Sequence, residues 1–121
     1  SDLLGETASP VAVLRRADMQ VLRSTDGKFE SRPLTSAGSN PLVDLYELRL
    51  AARSSHGSEA HITGTREVVI VLSGALRMRI GDEVHDLASG DSIFFAADRP
   101  HVYENPAGAE ARYHNVILYG R

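Results

Sequence analysis

No cysteine and no tryptophan occur among the 121 residues. Without thiols there is no disulfide scaffold, no thiolate zinc site and no cysteine nucleophile, which suits a reducing, cytoplasmic setting. Aromatics are scarce at 6%, and no apolar run exceeds a handful of residues, so no segment reads as a membrane span. The first residues also lack the basic-then-apolar pattern of a secretory signal. Positive charge is in short supply. Thirteen Lys and Arg against sixteen Asp and Glu give a net charge of −3, so this segment carries no overall basic footprint for nucleic acid. What remains is an ordinary globular balance of 42% hydrophobic and 24% charged residues, at a length that suits one domain. Its polar chemistry must come from histidines, carboxylates and hydroxyls.

Periodicity points to an all-β chain. Leu76, Met78 and Ile80 alternate with Arg77 and Arg79, which places the apolar set on one face of a strand. Further short runs lie at Val11–Leu14, Val21-Leu22, Leu45–Leu50, Val68–Leu72, Ile93–Phe95 and Val116–Tyr119, bounded by turn residues such as Asp26-Gly27, Gly81-Asp82 and Gly90-Asp91. No stretch sustains a helical period, and short strands at this spacing predict a sandwich or barrel. Hairpins are expected at Ser73-Gly74-Ala75 and at Gly81-Asp82. Val68–Leu72, apolar on both faces, is expected to be a central strand covered on each side. Residues 31–41, rich in Ser, Pro, Gly and Asn, read as a long loop after an N-terminal strand pair.

Five histidines are present. His56 and His85 sit in polar, turn-like surroundings and read as surface residues, and His114 in the last strand could line an interior. A lone strand histidine is usually structural. His61 and His101 keep more telling company: His61 leads H-x5-E-x6-G through Glu67 and Gly74, and Gly90-Asp91 leads G-D-x8-P-H-x3-N through Pro100, His101 and Asn105. Glu67, Val69 and Val71 share one strand face, and His101, Tyr103 and Asn105 share another. A carboxylate among apolar neighbours must be paired or hydrogen-bonded.

The segments HITGTREVVIVLSG and GDSIFFAADRPHVYEN resemble the two motifs of the cupins, small double-stranded β-helix (jelly-roll) barrels. The resemblance covers residues 43–119 and implies a cupin domain over 9–121. It also implies that the histidines and Glu67 aim at one point inside the barrel. His61, Glu67 and His101 would then form a two-histidine, one-carboxylate face suited to Zn, Fe, Mn or Ni. One departure stands out: the family reads H-x-H before its Glu, and here the second position is Thr63. The competing reading is a metal-free polar pocket in which the same side chains, with Thr63, bind an organic ligand.

Ser1–Glu6 resembles the end of the helix-turn-helix domain of bacterial repressor-like (XRE-type) regulators, many of which carry a C-terminal cupin. Residues 1–8 are accordingly expected to be the end of such a domain or a linker. This resemblance implies an effector-binding sensor domain in transcription regulation, not an enzyme, with DNA reached through a separate N-terminal domain. The expected pocket residues are His61, Thr63, Glu67, Phe95, His101, Tyr103 and Asn105, with Tyr113, Met78 and His114 as further candidates. Alternation alone leaves open which of Phe94 and Phe95 turns inward. The alternative is a stand-alone metal-dependent dioxygenase, isomerase or decarboxylase. Against it stand Thr63 and the lack of a further base, since Glu59 and Glu104 read as surface residues. A third reading is a ligand-free barrel that only dimerises a regulator, and a homodimer is expected by resemblance.

Overall fold

The computed structural model describes residues 11–35 and 42–120. Among them the chain forms a 3-10 turn at Arg16–Asp18 and ten strands: β1 (Leu22–Arg23), β2 (Phe29–Pro33), β3 (Val43–Leu50), β4 (Ser54–Ser58), β5 (Arg66–Ser73), β6 (Leu76–Ile80), β7 (Glu83–Leu87), β8 (Ser92–Ala96), β9 (His101–Asn105) and β10 (Ala111–Leu118). They build two antiparallel sheets, ordered β1-β2-β3-β10-β5-β8 and β4-β9-β6-β7. The inward faces bury Leu48, Leu50, Val69, Val71, Leu76, Met78, Ile80, Phe95, Tyr103 and Tyr113 as one core. This is the expected all-β jelly-roll barrel.

The pleat sets what faces inward. In the six-stranded sheet, register aligns Phe95, Glu67, Ile117 and Asp44 in one cross-strand row, and Ile93, Val69, Asn115 and Tyr46 in the next. In the facing sheet His101 lies opposite Ile80, and Tyr103 opposite Met78. Glu67 therefore enters the interior from one sheet, and His101 and Tyr103 enter it from the other.

Several local expectations need correction. Ser73-Gly74-Ala75 does not close a hairpin, because β5 and β6 belong to different sheets. The turn carries the chain across, with Gly74 at φ +81 pressed so close to β10 that a Cβ would sit 2.6 Å from the Glu110 carbonyl oxygen. Gly81-Asp82 does close a hairpin, β6 with β7. β5 is covered fully on one face only: Val69 and Val71 are buried, but Leu72 is 43% exposed.

The N-terminal region is less of a strand pair than expected. Val11 and Val13 are exposed and lie outside any strand, and β1 keeps two residues. Residues 31–33, expected in a loop, continue β2 and pair with β3 as part of the barrel sheet. The segment before β1 is fastened by Arg16, whose guanidinium donates to both carboxylate oxygens of Glu47 at 3.1 and 3.0 Å. Residues 1–8, and 36–41 of the expected loop, lie outside the described residues.

Candidate functional site

Glu67 is a charge with no access to water, its side chain 0% exposed. Such a group persists only if its lone pairs are satisfied, and here the protein supplies four partners. The Tyr103 hydroxyl donates to Oε1 at 2.7 Å and Asn115 Nδ2 donates to the same oxygen at 2.9 Å. His61 Nε2 and His101 Nε2 face Oε2 at 3.0 and 3.1 Å. Burial pushes the carboxyl pKa up, but hydrogen bonds from His101 and Tyr103 outweigh it and hold Glu67 below the ordinary carboxylate range.

His101 is oriented from behind. Its Nδ1–H donates to the Arg99 carbonyl at 2.9 Å, leaving Nε2 to the carboxylate. A neutral ring in this tautomer turns a lone pair toward Oε2, so the contact is favourable only with an imidazolium or with a cation between them. Burial lowers the His101 pKa, yet the Glu67 hydrogen bond and the Arg99 carbonyl raise it further, for a net rise. Phe95 packs edge-on against this ring at 5.1 Å. It is Phe95 that turns inward, while Phe94 is 59% exposed.

The same geometry passes a test for metal binding. One ligand atom each from His61, Glu67 and His101 lies within 4.8 Å of the others. Adjacent ligands at about 2.1 Å from one ion at right angles sit about 3.0 Å apart, close to the two Nε2–Oε2 separations seen here. A backbone carbonyl behind a ligating histidine is the usual outer support. Two imidazoles and a carboxylate can therefore hold a divalent ion here.

Above Glu67 opens a cavity of about 230 Å³, lined by Phe29, Ser31, Tyr46, Leu48, His56, Ser58, His61, Glu67, Tyr103, Asn115, Ile117 and Tyr119. Of the seven residues expected at the pocket, His61, Glu67 and Tyr103 line it, while His101 touches it only through Glu67 and Phe95 packs on His101. The other two are elsewhere. Thr63 is exposed at the tip of a turn pinned on either side by His61 N–H to the Ala97 carbonyl and Ala97 N–H to the Thr65 carbonyl. Asn105 is buried at the far end of β9, where Nδ2 donates to the carbonyls of Leu50, Ala51 and Ala109 and Oδ1 accepts from Ala107 N–H.

Of the further candidates, Met78 and Tyr113 are core, and His114 is half-buried on the opposite face of β10 from Tyr113 and Asn115. His56, read as a surface residue, is half-buried in the cavity wall and stacks flat on Phe29, 3.7 Å between centroids at an interplanar angle of 1°. Burial lowers its pKa and so favours the neutral ring. Asn115 and Tyr119 were also missed. Extending the period-two row from Tyr113 along β10 would have found both.

Two antiparallel sheets closed around a histidine-carboxylate cluster define a small jelly-roll barrel with an interior site. The chain belongs to the Cupin domain family, whose sequence profile matches residues 47–117. Over 76 residues it is 30% identical to the HTH-type transcriptional regulator SutR of Escherichia coli (strain K12), which covers 63% of this chain and 43% of SutR. It thus spans less than half of that curated relative. The Cupin_2 domain of an XRE family transcriptional regulator from Enterobacter cloacae is 31% identical with a TM-score of 0.73, over 78% of this chain and 99% of that one. Hydroxypropylphosphonic acid epoxidase from S. wedmorenis shares the fold alone, with a TM-score of 0.74 at 17% identity over 90% of this chain and 59% of that one. Regulators and an enzyme are thus both built on this barrel. Among the described residues no helix is long and apolar enough to cross a membrane.

Proposed function

We propose that the chain is the effector-binding cupin domain of a helix-turn-helix transcriptional regulator, taking a small molecule into the cavity above Glu67. Occupancy changes DNA binding by a separate N-terminal domain, in a cytoplasmic homodimer. The observation that carries this reading is the join between cavity and N-terminal region. Phe29 and Ser31, on β2, line the cavity, and β2 pairs with β1, the strand that follows the Arg16 clamp. A ligand that packs against β2 in one state and not in another has the differential affinity a switch requires. Identity to regulator domains supports the same reading. Homodimerisation is favoured by the short, exposed edge at β1, where Leu22 is 63% exposed.

The second reading, a metal-dependent enzyme, is favoured by the convergence of His61, Glu67 and His101. A divalent ion bound there would supply Lewis acidity to a substrate oxygen, and this chain's part would be to hold it through His61, Glu67 and His101, with the Arg99 carbonyl orienting His101. Native mass spectrometry of the freshly purified chain, before and after chelator, tests the two. The regulator reading expects an organic adduct that survives chelation. A metal adduct alone, accompanied by turnover of an added substrate, overturns it.

A further inference from the structure

The cavity has an unbalanced hydrogen-bond inventory. No lysine or arginine lines it among the described residues. The Tyr103 hydroxyl proton is committed to Glu67, and the Tyr119 hydroxyl proton is committed to Asp44 Oδ2 at 2.7 Å. Asn115 spends Nδ2 on Glu67 Oε1 and on the Tyr103 oxygen, both at 2.9 Å. A carboxylate only accepts, so this orientation of the amide is forced. It leaves Asn115 Oδ1 buried with no partner in a residue 2% exposed, a cost that a donor would relieve.

Beside the neutral, two-way groups of Ser31, Ser58 and His56, the cavity offers a ligand acceptors: Asn115 Oδ1, the outer lone pairs of the two phenols, and two carboxylates close behind them. The rings of Phe29, Tyr46, Tyr103 and Tyr119 line the same cavity, and aromatic rings attract cations at their faces. An anion would meet only the neutral donors of Ser31 and His56, with no lysine or arginine to balance its charge.

Resting on the effector-binding reading, we infer that the ligand is a small organic cation bearing N–H donors, a primary aliphatic ammonium ion. Its N–H groups meet Asn115 Oδ1 and the phenol oxygens, and its alkyl part lies against Leu48 and Ile117. The cation needs no proton from the protein. A bound divalent ion would reverse the local charge and with it the preference.

Three probes of one shape test the assignment: butylammonium, butyrate and butan-1-ol, titrated into the chelator-treated chain and followed by side-chain NMR signals of Phe29, His56 and Tyr103. Butylammonium is expected to bind at least roughly tenfold more tightly than either isostere, in line with charge and ring-face attraction. Tetramethylammonium, a cation without N–H, is expected to bind more weakly than butylammonium. Butyrate binding as tightly as butylammonium overturns the cationic assignment and leaves an effector of the other sign. Butyrate binding only after zinc loading overturns it in favour of the metal reading. No response to any probe, with no organic adduct in the mass spectrum, overturns both the assignment and the effector reading.

Discussion

The two ends of β9 differ more than their shared face suggests. His101, Tyr103 and Asn105 all point inward and are all buried. His101 and Tyr103 reach Glu67, and Glu67 and Tyr103 line a cavity. Asn105 spends its amide on three carbonyls and one N–H around the turns that follow β3 and β9. Facing the interior is thus one property and facing the site another. Partner chemistry tells the two ends apart: one converges on a charge, the other on backbone that would otherwise be unpaired.

Mutations should break this comparison in a graded way. The largest loss is expected from Glu67→Ala, which strands His101, Tyr103 and Asn115 in the interior. Chemical denaturation should show about 3–5 kcal/mol lost. Asn105→Ala should cost about 2–3 kcal/mol by the same measurement, because backbone carbonyls lose their donor. Unlike Glu67→Ala, it should leave zinc binding by calorimetry unchanged. Tyr103→Phe should cost about 1 kcal/mol while weakening ligand binding, since both Glu67 and Asn115 lose a partner. Thr63→Ala should change stability by no more than about 0.5 kcal/mol and leave binding intact, as befits an exposed turn residue.

The Glu67 end should also titrate where the Asn105 end does not. In chelator-treated protein, Glu67 is held below its reference value of 4.5, so its contribution is present above that pH and is lost as pH falls through the lowered folded value. His101 is held above its reference value of 6.5, so its contribution is full below that pH and is lost as pH rises through the raised folded value. Thermal unfolding across pH should therefore show the pair's stabilisation highest between these two reference values. Asn105→Ala should shift the whole profile down without changing its shape, and Glu67→Gln should flatten it.

Much of this was legible in the residues. The alternation of Leu76, Met78 and Ile80 and the apolar run at 68–72 mark real strands, and the cupin resemblance of the two motifs implies that His61, Glu67 and His101 meet, as they do. β4 was not legible: Ser54–Ser58 reads SSHGS, with no apolar alternation, and is a strand only because β9 supplies its hydrogen bonds. With the strand went His56, whose place in the cavity wall depends on Phe29 from a segment read in part as loop. Thr63 was misplaced for a related reason. The family's H-x-H pattern puts it at a ligand position, but the turn at 61–65 carries it outward. Gly74 signalled a turn, yet only the crowding against Glu110 shows that the turn crosses between sheets.

The central claim is that ligand recognition belongs to the Glu67 end of the barrel and not to the Asn105 end. The most direct measurement is one NMR titration of butylammonium into chelator-treated wild type, Glu67→Gln and Asn105→Ala. The prediction is that the shifts of the Phe29, His56 and Tyr103 signals seen in wild type vanish in Glu67→Gln and persist in Asn105→Ala. Equal loss in both variants, or shifts retained in Glu67→Gln, would contradict it.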